Sequence, residues 1–126
     1  MQPDFEKKRL GREGEELAAE YLKGNGFHLL EQNYRCRLGE VDLIAEKGED
    51  LFFIEVKSRR SVEGVSPLEL VPYPKQVHIS KVAQHYFASK QVRDRNGRFA
   101  LVIIDFQGPS PEVQWIPDIF ELAWDY

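Results

Sequence analysis

The sequence predicts an α/β fold in which helices flank a mixed sheet, with the element order helix, three strands, helix, strand. Apolar residues recur at helical spacing near the amino terminus and again in the second half of the chain. Short apolar runs bounded by turn residues lie between and after these two stretches. At 126 residues the chain predicts one domain over residues 1–126, long enough to bury a core without disulfides.

The predicted elements follow one another with short connections. An amphipathic helix over Phe5 to Lys23 ends at Gly24-Asn25-Gly26. A second helix begins near Tyr73-Pro74, where proline is tolerated in the first turn. The predicted strands are Phe27 to Arg35, Glu40 to Glu46, Leu51 to Ser58, Phe99 to Phe106 and, at an edge, Val113 to Ile116. Asp118 to Trp124 is predicted to form a final helical turn.

Net charge by itself argues mildly against nucleic acid as a partner, because its formal value is −4. The charges are unevenly distributed, however. Ile54 to Arg98 has nine Lys or Arg and four Asp or Glu, a local charge of +5, whereas Phe99 to Tyr126 has five acids and no Lys or Arg. The basic middle segment is compatible with a phosphate-facing surface and equally with an ordinary solvated surface.

Nothing in the sequence predicts an export signal or a membrane segment. Met1 to Arg12 is highly charged, and the longest apolar runs, such as Ala100 to Ile104, are too short to cross a bilayer. Cys36 is the only cysteine, so no intrachain disulfide can form, which suits a reducing compartment. We therefore expect a cytoplasmic protein with no membrane partner.

Two charged residues interrupt a predicted strand that is apolar on both faces. Because side chains alternate along a strand, Phe53, Glu55 and Lys57 share one face of Leu51 to Ser58. A strand that is apolar on both faces normally lies inside a sheet. Charges there are costly unless they are paired or bound to a metal ion.

The preceding strand carries a matching charge, Asp42. The same alternation places Val41, Leu43 and Ala45 on the face opposite to it. A hairpin with Gly48-Glu49 as a two-residue type II′ turn sets the register between the two strands.

In this register Asp42 lies opposite Glu55, and Glu40 lies opposite Lys57. Directly opposed side chains have Cβ atoms about 5 Å apart, so the two carboxylates repel unless a cation lies between them. Mg²⁺ commonly binds one or two carboxylates together with waters and substrate phosphates. The alternative is a structural network in which Glu40 pairs with Lys57 and Asp42 pairs with an arginine elsewhere.

These residues resemble a known motif. Gly39-Glu40-Val41-Asp42 followed by Glu55-Val56-Lys57 is similar to the PD-(D/E)XK nuclease signature. The chain resembles, more specifically, the small bacterial YraN-like proteins, an endonuclease-like family related to archaeal Holliday junction resolvases. The matching segments, in order through about the first two-thirds of the chain, are Gly11-Arg12-x-Gly14-Glu15-x-x-Ala18, Tyr21-Leu22, Gly26-Phe27, Asn33-Tyr34-Arg35, Gly39-Glu40-Val41-Asp42-Leu43-Ile44, Phe53-Ile54-Glu55-Val56-Lys57-x-Arg59, Gly64-x-x-Pro67-x-Glu69 and Lys75. One departure is Ala100, where the family often has an aspartate.

The resemblance implies a restriction-endonuclease-like αβββαβ core and a set of site residues. Asp42 and Glu55 are the implied ligands of Mg²⁺ or Mn²⁺, with the Val56 carbonyl as a third. Lys57 is implied to help activate the attacking water, and Glu15 to project from the first helix as a fourth catalytic residue. Five basic residues flank the site in sequence and are candidate phosphate contacts: Arg35, Arg37, Arg59, Arg60 and Lys75. Arg59 and Lys75 rank first because the resemblance includes them as well.

Three functional hypotheses follow from these residues. The first is a metal-dependent endonuclease that hydrolyses phosphodiester bonds in double-stranded or branched DNA. Symmetric cleavage of a junction needs two active sites, so the junction version predicts a homodimer. The second is a non-catalytic nucleic-acid-binding protein that retains the nuclease fold. The third is a structural or partner-binding protein in which the charged pair forms a salt bridge, and it predicts no stabilisation by divalent cations.

Overall fold

The structure, a computed structural model, describes residues 3–60 and 64–122, with side chains from Lys8 onward. The elements in these ranges are α1 (Pro3–Gly24), β1 (His28–Cys36), β2 (Gly39–Lys47), β3 (Asp50–Arg59), a 3₁₀ helix (Pro67–Leu70), α2 (Tyr73–Ser89), β4 (Asn96–Asp105) and β5 (Glu112–Phe120). The strands form one sheet in the order β1-β2-β3-β4-β5, in which β3 and β4 are parallel and the other neighbours antiparallel. The predicted α/β class with a mixed sheet is confirmed, and the architecture is consistent with a restriction-endonuclease-like core.

Strand β3 lies at the centre of the sheet, as its apolar pattern predicted. Leu51 and Phe53 are buried in the core on the α2 side, and Phe52 and Ile54 in the core on the α1 side. Helices therefore cover both faces of the strand that carries Glu55.

The two helices bury short apolar faces against the sheet. α1 packs Ala18 and Leu22 against one face, and α2 packs Ile79 and Val82 against the other. No helix in the described ranges is both long and apolar enough to span a bilayer.

The carboxyl-terminal part differs from its prediction. Val113 to Ile116 lie in a strand as expected, but β5 continues to Phe120. The helical turn predicted over Asp118 to Trp124 is therefore wrong for residues 118–122, and residues 123 and 124 lie outside the described ranges. β5 stays paired with β4 beyond an irregularity at Asp118, which has a φ of 55°. Phe120 stacks on Phe99, with ring centroids 4.6 Å apart, and Asp118 forms an ion pair with Arg98.

Candidate functional site

The hairpin between β2 and β3 has the predicted register. Its backbone pairs run from Lys47 with Asp50 to Leu43 with Ile54, and Gly48 has the positive φ of 60° that the predicted turn needs. The ladder ends there, and Asp42 and Glu55 are the next residues on the two strands. At this point the Asp42 carboxylate, rather than its backbone, contacts β3: Oδ2 accepts a hydrogen bond from the Val56 N–H at 2.8 Å.

The side chains of β2 depart from strict alternation at Asp42, which the sequence analysis did not predict. Leu43 and Ala45 pack on the α1 side of the sheet, as expected, but Val41 packs on the α2 side. Asn33, on the neighbouring strand β1, has a φ of 52° at the same level of the sheet. An αL residue breaks the regular pleat, so the side chains on either side of this point no longer follow one two-residue period.

Glu55 is a buried carboxyl group at the centre of the sheet, with 4% of its surface exposed. Its side chain is in hydrogen-bonding contact with Asp42, and Lys75 Nζ lies 3.6 Å from its Oε1. Burial, followed by the hydrogen bond and charge of Asp42, raises the pKa of Glu55 to about 9, and the charges of Lys75 and Lys57 offset part of this rise. Oε1 has no hydrogen-bond partner in the described part of the chain.

Glu15 reaches the same region from α1. Its side chain contacts Asp42 and accepts a hydrogen bond from Asn33. Burial and the negative charge of Asp42 raise its pKa, and the Asn33 hydrogen bond acts in the opposite direction. Asn33 is a member of the site that sequence reasoning missed. In the sequence Asn33 was named only as part of Asn33-Tyr34-Arg35, one of the segments that resemble the YraN-like proteins. No local pattern predicts a contact between residues 15 and 33.

The close approach of α1 to β3 depends on Gly14. A Cβ atom at this position would lie 1.7 Å from Ser58 Oγ and 3.0 Å from Ser58 Cβ. We expect Gly14→Ala to lower the free energy of unfolding by about 1–3 kcal/mol, because α1 must move away from the sheet. Chemical denaturation measures this loss, and adding Ser58→Gly to Gly14→Ala is expected to recover part of it.

Gly11→Ala is the matched control for this prediction. Gly11 lies one turn earlier in α1, and an added Cβ there meets nothing within 4 Å. Its replacement should be neutral or slightly stabilising, by up to about 1 kcal/mol, since alanine favours helix. Equal stability of the Gly14→Ala and Gly11→Ala variants would show that Gly14 does not set the position of α1.

The two lysines of the site approach Glu55 from different elements. Lys57 lies two residues along β3, and its positive charge acts on the Glu55 carboxyl group. Lys75, expected only as a nucleic-acid contact, comes from the first turn of α2 and forms an ion pair with Glu55. Sequence reasoning placed Lys75 at the edge of the site, whereas the structure places it inside.

The remaining predicted nucleic-acid contacts surround this cluster. Arg35 and Arg37 are exposed near the β1–β2 turn, and Arg35 forms a 3.0 Å ion pair with Glu40. Arg59 is half-buried where β3 ends, and Arg60 is exposed beside it. The alternative hypothesis of a structural network predicted that Glu40 pairs with Lys57. In the structure Glu40 forms an ion pair with Arg35.

The carboxyl groups form a chain of contacts, Glu15 to Asp42 to Glu55, rather than a closed cage. In the described residues no three His, Cys, Asp or Glu side chains converge on a point that could hold a metal ion. This geometry does not suit Zn²⁺, which takes three or four protein ligands. It does suit Mg²⁺ or Mn²⁺, which take one or two carboxylates and leave positions for water and phosphate. The buried Glu55 Oε1 without a hydrogen-bond partner fits a cation ligand.

An apolar cavity of about 750 Å³ lies elsewhere, between the end of α2 and the start of β4. Its lining includes Phe53, Phe87, Phe99 and Phe120. Such cavities often bind small apolar ligands. A phosphodiester backbone is charged, so the polar carboxylate–lysine cluster is the more suitable contact for it.

The fold and this cluster define a small α/β protein that carries a carboxylate pair where two strands of its sheet diverge. A profile of the uncharacterised protein family UPF0102 matches residues 14–104, a stretch that includes every residue of the cluster. The chain belongs to this family, and the resemblance to the YraN-like proteins is confirmed at that level.

Relatives from several bacteria match nearly the whole chain. A UPF0102 protein of Syntrophus aciditrophicus is 43% identical over 92% of this chain and 91% of its own length. One from Geobacter metallireducens is 41% identical over 93% of this chain and 96% of its own, and one from Dictyoglomus turgidum is 38% identical over 90% and 98%.

Proposed function

We propose that this protein is a Mg²⁺- or Mn²⁺-dependent endonuclease of the PD-(D/E)XK type that hydrolyses phosphodiester bonds in DNA. The contact between Asp42 and Glu55 carries the proposal, together with Lys57, which lies two residues after Glu55 on β3. A buried carboxyl group at the centre of an apolar sheet, next to a second carboxyl group and a lysine, is costly to keep without a function that uses it.

The proposed ligands of the cation are the carboxylates of Asp42 and Glu55 and the Val56 carbonyl. The Val56 backbone already lies against Asp42 through its N–H, so the three groups are neighbours. A bound divalent cation supplies charge neutralisation at the phosphate and favours deprotonation of the attacking water.

In the proposed reaction, the oxygen of water forms a bond to phosphorus while the bond from phosphorus to one ester oxygen breaks. The attacking water loses a proton and the leaving oxygen gains one, so the sum is hydrolysis. Lys57 orients the water or contacts the phosphate. Glu15 lies against Asp42 with a raised pKa and is a candidate to take up the proton. Arg35, Arg37, Arg59 and Arg60 hold neighbouring phosphates.

One observation favours the second candidate function, a nucleic-acid-binding protein without catalysis. The Lys75 ammonium already lies 3.6 Å from Glu55 Oε1. A carboxyl group that is contacted in this way from within the chain can persist without a cation. The endonuclease predicts that the protein binds and cleaves DNA, whereas the non-catalytic protein predicts binding alone.

A substrate panel tests the proposal. Duplex, flap, junction, single-stranded DNA and RNA are incubated with Mg²⁺, Mn²⁺ or EDTA. We expect metal-dependent cleavage of at least one DNA substrate, and a loss of about 10²-fold or more in Lys57→Ala. Paired symmetric cuts in a junction would indicate the homodimer.

Lys23→Ala is the control, since Lys23 is an exposed residue in the last turn of α1. DNA binding in Ca²⁺ should remain in both variants. If no substrate is cut by the wild type while DNA is still bound, the endonuclease proposal is wrong and the non-catalytic function stands.

A further inference from the structure

Lys75 has an unusual electrostatic position in the fold. It lies in the first turn of α2, where the helix dipole disfavours a positive charge, and no acidic residue shares that turn. Its side chain is 37% exposed, whereas that of its partner Glu55 is 5% exposed. The lysine therefore approaches a buried carboxyl group from the solvent side.

The contact between the two groups is an ion pair without a hydrogen bond. Nζ and Oε1 are 3.6 Å apart, and Oε1 has no hydrogen-bond partner in the described residues. The base of Lys75 is fixed, because the neighbouring Gln76 anchors the start of α2 by donating to the Val71 carbonyl at 2.9 Å. The long side chain above this fixed base can turn outward at little cost.

We propose that Lys75 is a displaceable group of the candidate metal site, which lies against the Glu55 carboxyl group when no divalent cation is bound and turns to a substrate phosphate when one is. The inference rests on the proposed function and adds a regulatory step to it. A divalent cation on Glu55 would repel an ammonium group a few ångströms away, and the solvent side offers that ammonium a phosphate.

This arrangement makes cation binding and phosphate contact depend on the same side chain. Without nucleic acid, Lys75→Gln should bind Mn²⁺ about 3-fold more tightly than the wild type, because no ammonium competes for Glu55. The same variant should bind a DNA duplex in Ca²⁺ about 3-fold more weakly. Lys90→Gln, at the other end of α2, is the matched control and should change neither constant.

Limited acetylation followed by mass spectrometry tests the displacement in the wild-type protein. We expect Mn²⁺ to raise labelling of Lys75 about 3-fold and to leave labelling of Lys90 unchanged. Adding a DNA duplex in Ca²⁺ should reduce Lys75 labelling again. In Glu55→Ala, Lys75 should label strongly with or without Mn²⁺, since the carboxyl group that it contacts is gone.

The outcomes separate this inference from the proposed function. If Mn²⁺ raises the melting temperature of the wild type but leaves Lys75 labelling unchanged, Lys75 is not displaced and the endonuclease proposal is unaffected. If Mn²⁺ changes neither the melting temperature nor the labelling, both are overturned. Equal labelling of Lys75 in the wild type and Glu55→Ala without metal would also overturn the inference, because the contact with Glu55 would then not protect it.

Discussion

Asp42→Asn is expected to lower metal-dependent cleavage by about 10³-fold or more. Removing one anionic ligand costs several kcal/mol of transition-state stabilisation, and each tenfold in rate corresponds to about 1.4 kcal/mol. The fold should persist, because an asparagine side-chain oxygen can still accept the Val56 N–H that Asp42 Oδ2 accepts at 2.8 Å. Initial cleavage rates and a thermal melt in EDTA measure the two parts of this expectation.

Glu49→Gln is the control for Asp42→Asn. It removes the same charge from the same hairpin, at the exposed turn between β2 and β3. Its cleavage rate should stay near that of the wild type. A similar loss in both variants would mean that the total charge of the hairpin, rather than a ligand at Asp42, decides activity.

Glu55→Gln is expected to raise stability in EDTA at pH 8, in contrast to most changes in a core. The pKa of Glu55 is raised to about 9 in the folded protein from an ordinary value of 4.5. Below pH 4.5 Glu55 is protonated in both the folded and the unfolded protein, and its burial as a neutral group then costs the wild type no stability through titration. Stability is lost as the pH rises from there through about 9, because the unfolded chain releases the proton more readily.

The side chain introduced by Glu55→Gln does not titrate in this range. The free energy of unfolding of the variant should therefore exceed that of the wild type by an amount that grows between pH 5 and pH 8. We expect a melting temperature about 5–10 °C above the wild type at pH 8, equivalent to about 2 kcal/mol. Mn²⁺ should then stabilise the wild type and leave Glu55→Gln unchanged. Circular dichroism melts at pH 5 and pH 8, with EDTA or Mn²⁺, test both statements.

Glu20→Gln, on the exposed side of α1, controls for the loss of any carboxyl group and should show neither effect. A wild type that is equally stable at pH 5 and pH 8 and does not respond to Mn²⁺ would favour the structural hypothesis. In that case the ion pair with Lys75 would be the reason that Glu55 is retained.

Local sequence patterns predicted the central features of the fold. The two-sided apolar run of β3 placed it inside the sheet, because only an interior strand buries both faces. Gly48 set the hairpin register, since a two-residue turn leaves one pairing, and the next position beyond the observed ladder holds Asp42 and Glu55. Their roles as metal ligands, and those of Lys57 and Glu15 in catalysis, stay predictions.

Contacts between distant segments could not be predicted in this way. The change of face at Val41 accompanies an αL conformation at Asn33 on the neighbouring strand, which asparagine permits and does not require. The extension of β5 to Phe120 depends on ring stacking against Phe99, which no local pattern encodes. The helical turn predicted there failed for this reason.

The sequence by itself determined the class of fold, the interior strand and the hairpin register that brings Asp42 close to Glu55, because these follow from the apolar pattern and turn geometry within short segments. Only the tertiary structure decided which groups complete the cluster. Glu15 reaches Asp42 because Gly14 lets α1 lie close to Ser58, and Lys75 reaches Glu55 because α2 begins beside it. Such contacts depend on how helices dock on a sheet, and side-chain packing over the whole core sets that docking.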